Sequence, residues 1–338
     1  MSENKSDEEQ HQQMEGIFIC ADVWLKVFAF LDPFELGLKM APINDRFDIL
    51  VDEHFKSRKW SLGRLQIRRA DDGNGAKIVN ARSGVGLPIP EGPLPNKVLG
   101  FEEIEISYVD QSVIEFLQHI RRLFDSSGTN VFIGTYNERR SWEIIRQKIW
   151  PLVSDNICGL HLFKSHLDRL RQFSPAILRN CAKLRSIHSY GLFPEFPAGD
   201  NADTSSRQAV AKWLLTPRGD GLPKMLHFDA VQAKLDGLKE SFVNAAESAN
   251  FIIKFLKPDC HFVVFELKNN LTRERLTFRQ IDKDNWLLVR CPIAREEDKW
   301  AKWEEEAIQW EMGRQWNFTA ITFEDRYIGE GLAENQIG

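Results

Sequence analysis

The stretch NICGLHLFKSHLDRLRQFSPAILRNCAKLRSIHSYG, residues 156–191, decides how this chain is read. Its opening, NICGLHLF (156–163), is a short apolar run of strand length. LRQFSPAILRNC (170–181) then spaces its apolar residues as a helix does, and KLRSIHSYG (183–191) alternates again. The unit is strand–helix–strand, which points to an α/β protein with a parallel sheet.

The same unit recurs outward in both directions. FEEIEISYV (101–109) is followed by SVIEFLQHIRRLF (112–124), and NVFIGTY (130–136) by SWEIIRQKIWPLV (141–153). Downstream, RQAVAKWLL (207–215) reads as a helix, PKMLHFDA (223–230) as a strand and LKESFVNAAESANFIIKFL (238–256) as a helix. The earlier strands recur roughly every 27–29 residues, a period that fits a solenoid whose units bury their apolar stripes only by stacking. ICGLHLF and NCAKLRSI resemble fragments of leucine-rich repeats. The expectation over residues 98–260 is therefore an irregular leucine-rich-repeat-like array, preferred to a compact α/β sheet with right-handed crossovers. Its strands would line a concave face, where Glu103, Glu105, Ser107 and Tyr136 are the candidate substrate contacts.

Residues 261–330 differ. HFVVFEL, RLTFRQI and NWLLVRC read as an antiparallel meander. DKWAKWEEEAIQWEMGRQW (298–316) reads as a helix with Trp300, Trp303, Ala307 and Trp310 on one face, stapling it across the meander. FTAITF (318–323) returns as a strand, and residues 331–338 form a tail. Upstream, residues 57–97 hold a hairpin turning at Asp72-Gly73-Asn74-Gly75 and a connector with Pro88, Pro90, Pro93 and Pro95.

Composition narrows the function classes. The 338 residues carry a net charge of −5, the wrong balance for a general binder of nucleic acid or of an anionic membrane. No run is long and apolar enough to span a bilayer. The polar, acidic residues 1–16 read as a disordered tail rather than a secretory leader. Five widely spaced cysteines read as reduced thiols of a cytoplasmic or nuclear protein. Cys158, His161 and His166 suggest zinc only superficially, because residues 158 and 161 of a strand point to opposite faces. There is no Gly-x-Ser-x-Gly elbow, and the adjacent Glu102 and Glu103 cannot form an acid–base pair. No cofactor, metal site or catalytic set is expected.

DVWLKVFAFLDPFELGLKM (22–40) poses the remaining question. Val23, Trp24, Val27, Phe28 and Leu31 are read on one helical face, with Leu25 and Phe30 off it. Asp32-Pro33 ends that helix and starts another. INDRFDILVDEHF (43–55) adds a third. About 35 residues in three helices cannot bury so many large side chains alone, so part of this surface awaits a partner.

Residues 17–56 resemble an F-box. Asp22 falls at the acidic position, Val27, Phe28 and Leu31 at the central apolar positions, and Asp32-Pro33 at the turn. Leu36 follows, Arg46-Phe47 stands for the closing Arg-Trp, and Ile19-Cys20 replaces the opening Leu-Pro. CPIAREEDKWAKWEEEAIQWE (291–311) also resembles the C-terminal region of expanded nematode F-box families. The resemblance implies a substrate receptor of a cullin–RING ubiquitin ligase with no active site of its own. Its helices would bind a Skp-type adaptor through Asp22, Val23, Trp24, Val27, Phe28, Leu31, Pro33, Leu36, Ile43 and Phe47. Its repeat domain would present a protein substrate. The competing expectation is a binding scaffold whose N-terminal helices merely cap the array.

Overall fold

The computed structural model describes residues 19–56, 60–96, 98–229, 235–256, 262–311 and 315–332; the tail expected over residues 1–16 and Cys260 lie outside them. Among the described residues three helices come first: α1 (Ala21–Phe28), α2 (Pro33–Glu35), running on as a π-helical turn Leu36–Met40, and α3 (Asp45–Phe55). Their starts are chemically marked. The Asp32 carboxylate accepts the Glu35 amide at 2.9 Å, with Pro33 in the first turn. The Asn44 side chain likewise accepts the Phe47 amide at 3.0 Å.

Short strands β1 (Trp60–Ser61) and β5 (Val98–Gly100) pair in parallel beside these helices. Between them run β2 (Arg64–Arg69), β3 (Ala76–Asn80) and β4 (Gly86–Pro88). The β2–β3 hairpin turns where expected, with Gly73 and Gly75 at positive φ. The proline-rich stretch read as a connector supplies β4, an edge strand, and buries Ile89 and Leu94. Arg122 pins that stretch by donating to the Val98 carbonyl at 2.7 Å and the Leu94 carbonyl at 3.2 Å.

The alternating region follows. It contains β6 (Glu103–Ile106), α4 (Gln111–His119), α5 (Arg121–Ser127), β7 (Thr129–Ile133), α6 (Arg139–Ile144), a π-helical turn Ile145–Ile149 and α7 (Trp150–Val153). It continues through β8 (Ile157–Phe163), α8 (Lys164–Phe173), α9 (Ile177–Asn180), β9 (Ser186–Tyr190), α10 (Ser206–Leu215), β10 (Lys224–Asp229), α11 (Asp236–Val243) and β11 (Phe251–Leu256). The chain closes with β12 (Phe265–Asn269), β13 (Glu274–Gln280), β14 (Asn285–Pro292), α12 (Glu297–Gln309) and β15 (Phe318–Ile321).

Among the described residues, all strands but β1 and β5 form one mixed sheet of 13, in the order β12-β13-β14-β11-β10-β9-β8-β7-β15-β6-β2-β3-β4. Strands β7 to β11 are parallel neighbours in sequence order, and β12–β14 form the antiparallel meander. A division at residue 260 thus crosses a continuous sheet. Alternation along the strands builds two apolar layers. Ile104, Val131, Leu160, Ile187, Leu226 and Ile253 join the large core formed with α4–α11. Met225, Ile252, Leu287 and Val289 point the other way and are covered by Trp300 and Ala307 of α12.

Two departures from the sequence reading matter. First, an uninterrupted array would set β6 beside β7, but β15 enters between them, parallel to both. Asn317, at φ 50°, makes that insertion. Its side chain accepts the Phe101 amide at 3.0 Å and donates to the Leu123 carbonyl at 2.9 Å. Gly100 permits it, since a Cβ there would collide with the side-chain Oδ1 of Asn317. Second, residues 238–256 are not one helix. α11 ends at Val243 and β11 begins at Phe251. The Asn269 amide, on β12, bonds the Phe242 and Ala245 carbonyls at 2.9 Å and so terminates α11 from a distance.

Candidate partner-binding face

Successive residues of a helix are turned by about 100°. Val23, Val27 and Phe30 therefore share one side of α1 and its final turn, while Trp24, Phe28 and Leu31 share another. The second side is internal. Trp24 meets Phe47 edge-on at 4.8 Å, and Phe28 packs near Trp24, Phe47 and His54. Phe34, Leu36, Leu38, Leu50, Val51 and Phe55 are buried as well, and with Phe28 they continue into the large core of the sheet domain. The helices then dock on the β1–β5 pair and on β3 of the large sheet through a different surface. The Asn80 amide donates to Asp32 at 3.3 Å, Phe55 lies 4.3 Å from Trp60, and Gly37 abuts Leu62 and Val98.

The first side is left in solvent. Val23 is 47% exposed, Val27 39% and Phe30 90%. Ile43 and Ile49, beside and on α3, are exposed as well. Acidic residues of α3 accompany them, and partial burial, with Asp52 and Asp45 adding to it, raises the pKa of Asp48.

The residues expected to meet an adaptor thus divide. Asp22, Val23, Val27 and Ile43 are exposed, and Trp24, Leu31, Pro33 and Phe47 are half-buried. Phe28 and Leu36 are fully buried and belong to the large core. The helical face drawn through Val23, Trp24, Val27, Phe28 and Leu31 merged two sides. Phe30 and Ile49 belong to the exposed set; for Phe30 the spacing from Val23 and Val27 already carried the signal.

The residues expected to meet a substrate are not gathered in one place. Glu103, Glu105 and Ser107 are half-buried in and just after β6. Glu105 accepts from Gln66 at 3.2 Å, and Ser107 donates to the Ile67 carbonyl at 3.0 Å. Burial raises the pKa of Glu103, with Glu105 adding to it and Arg64 opposing. Tyr136 is 67% exposed beyond the end of β7, on the far side of β15.

A row rich in aromatic side chains crosses the face of the parallel strands opposite the α4–α11 core. Phe132, His161, His188, His227 and Lys254 are paired in register on β7 to β11. His161 and His188 stack at 4.4 Å, and Trp310 stacks on His227 at 4.5 Å, just past the end of α12. So Trp310 lies over His227 and His188 of the parallel strands, while Trp300 joins the apolar layer of β10, β11 and β14. Burial depresses the imidazoles: His161 and His188 are lowered to about 4, and His227 well below its ordinary value. His166, from the apparent Cys–His spacing, instead accepts the Phe163 amide at 3.3 Å. Among the described residues no group of three His, Cys, Asp or Glu side chains is placed to hold a metal, and no helix is long and apolar enough to cross a membrane.

No family model and no curated protein matches this chain.

Proposed function

We propose that the chain is an F-box-type substrate receptor. Its N-terminal helices bind a Skp-type adaptor, and through it a cullin–RING ligase, while the sheet domain holds a protein substrate. In this reading the chain does no chemistry itself and works in the cytoplasm or nucleus. The observation that carries the proposal is the Val23–Val27–Phe30 stripe, three large apolar side chains left in water on helices whose other sides are already packed into the core and against β1 and β5. Burying such a stripe stabilises a complex at roughly 25 cal/mol per Å² of apolar area before the costs of association. The cap reading accounts for the docked side around Gly37 and Asp32, but leaves this stripe without a role.

Co-expression with a Skp-type adaptor tests the proposal. The wild-type chain is expected to co-purify with it, and Val27→Asp to lose it while keeping the same thermal unfolding curve. Equal recovery with Val27→Asp would remove the assignment.

A further inference from the structure

Two adjoining hollows of about 480 and 240 Å³ meet at Trp142 and Arg169, between α6 with its π-helical turn and α8. They form one groove beyond the carboxyl ends of β7 and β8, the side of a parallel sheet where ligands characteristically bind. Its upper end is aromatic: Tyr136 and Phe163 are exposed there, and Phe163 is held by stacking on Tyr190 at 4.9 Å. Its lower end presents Arg146, which lies over the ring of Phe173 at 6.0 Å.

The groove is basic in an acidic chain. Arg139, Arg146 and Arg169 line it against a single lining carboxylate, Glu143, so the lining carries 3 − 1 = +2 while the chain carries −5. Glu143 is already engaged by Arg139 at 3.1 Å. Arg169 donates to the neutral side chains of Asn137 and Gln172, and Arg146 faces a ring. Among the described residues neither guanidinium forms an ion pair with a carboxylate. Arginines held in place by neutral groups keep their full capacity for an incoming carboxylate. The π-helical turn Ile145–Ile149, a distortion common at functional sites, is the element that carries Arg146.

The geometry points to an acidic peptide segment as the occupant of this groove, with an aromatic side chain seated against Tyr136 and Phe163 and its flanking carboxylates on Arg146 and Arg169. This names the substrate class of the proposed receptor, and rests on that reading only for the peptide's role as substrate.

Fluorescence anisotropy on the full chain tests it with three labelled peptides: a phenylalanine flanked by glutamates, the same peptide with alanine for phenylalanine, and the same peptide with lysines for glutamates. The first is expected to bind, weakening as salt rises, and the other two to bind at least about tenfold more weakly. Arg146→Glu and Arg169→Glu are each expected to weaken the first peptide about tenfold with unchanged melting curves and unchanged adaptor capture. Absence of binding, equal binding of the three peptides, or unaffected binding by both folded variants would overturn the groove assignment. Peptide binding without any adaptor capture would instead sink the receptor reading and leave the groove standing.

Discussion

Val27 and Phe28 are consecutive residues of α1 with opposite surroundings: Phe28 is fully buried beside Trp24, Phe47 and His54, whereas Val27 is 39% exposed. Their substitutions should therefore separate folding from recognition. Phe28→Ala is expected to lose about 3–5 kcal/mol of stability, and Val27→Asp to stay within about 0.5 kcal/mol of wild type. Urea denaturation measures both. A similar loss for the two would mean that α1 is turned differently.

Glu274 and Arg290 form an ion pair at 2.6 Å with side chains only 1% and 2% exposed. Glu274 also accepts the Ala249 amide at 2.8 Å, and Arg290 donates to the Glu247 carbonyl at 2.8 Å. The pair thereby ties β13 and β14 to the turn before β11. Removing one partner strands a buried charge, so Glu274→Ala is expected to cost about 3–5 kcal/mol. A double substitution with apolar residues of similar size should recover much of that loss. Denaturant midpoints of the single and double variants decide it.

Asn317 holds β15 in the middle of the sheet, and its positive φ and its amide act separately. Asn317→Gly keeps the backbone freedom and loses the side-chain bonds; Asn317→Leu loses both. The expected order of stability is wild type, then Gly, then Leu, with the leucine variant down by about 2–4 kcal/mol. Hydrogen exchange across residues 318–321 should accelerate in the same order. Unchanged exchange there in the leucine variant would contradict the clamp.

The histidine row makes stability depend on pH. In the folded chain His161 and His188 are lowered to about 4, from an ordinary value of 6.5. Burial is the main cause for both, with His188 acting on His161 and Lys254 on His188. His227 is lowered in the same direction, and Asp229 opposes the shift at His161. Between those values the unfolded chain binds more protons, so stability is full above pH 6.5 and falls as pH drops towards 4. Each unit of depression corresponds to about 1.4 kcal/mol. The double variant His161→Gln, His188→Gln should lose stability less steeply over that window. Parallel pH profiles of the two proteins would show that the row is not held neutral.

The alternation of strand and helix was readable because each element carries its own periodicity, from Glu103–Ile106 through Lys224–Asp229. What was not readable depends on distant partners. Phe251–Leu256 is a short apolar run that fits a helix or a strand, and the cap that separates it from α11 comes from Asn269. The place of β15 between β6 and β7 is set by Asn317 reaching Phe101 and Leu123. Periodicity finds Phe318–Ile321 as a strand but assigns it no neighbours. At the candidate site the sequence supplied the apolar residues of α1, while their division between core and surface required knowing where Phe47 and His54 lie.

The most direct test of the proposed function is a calorimetric titration of a Skp-type adaptor into the purified full chain, alongside Phe30→Ala. Phe30 is 90% exposed, so its truncation should leave folding intact. The account predicts saturable binding by the wild type and an affinity about tenfold or more weaker for Phe30→Ala. No binding by the wild type, or identical affinities for the two proteins, would contradict it.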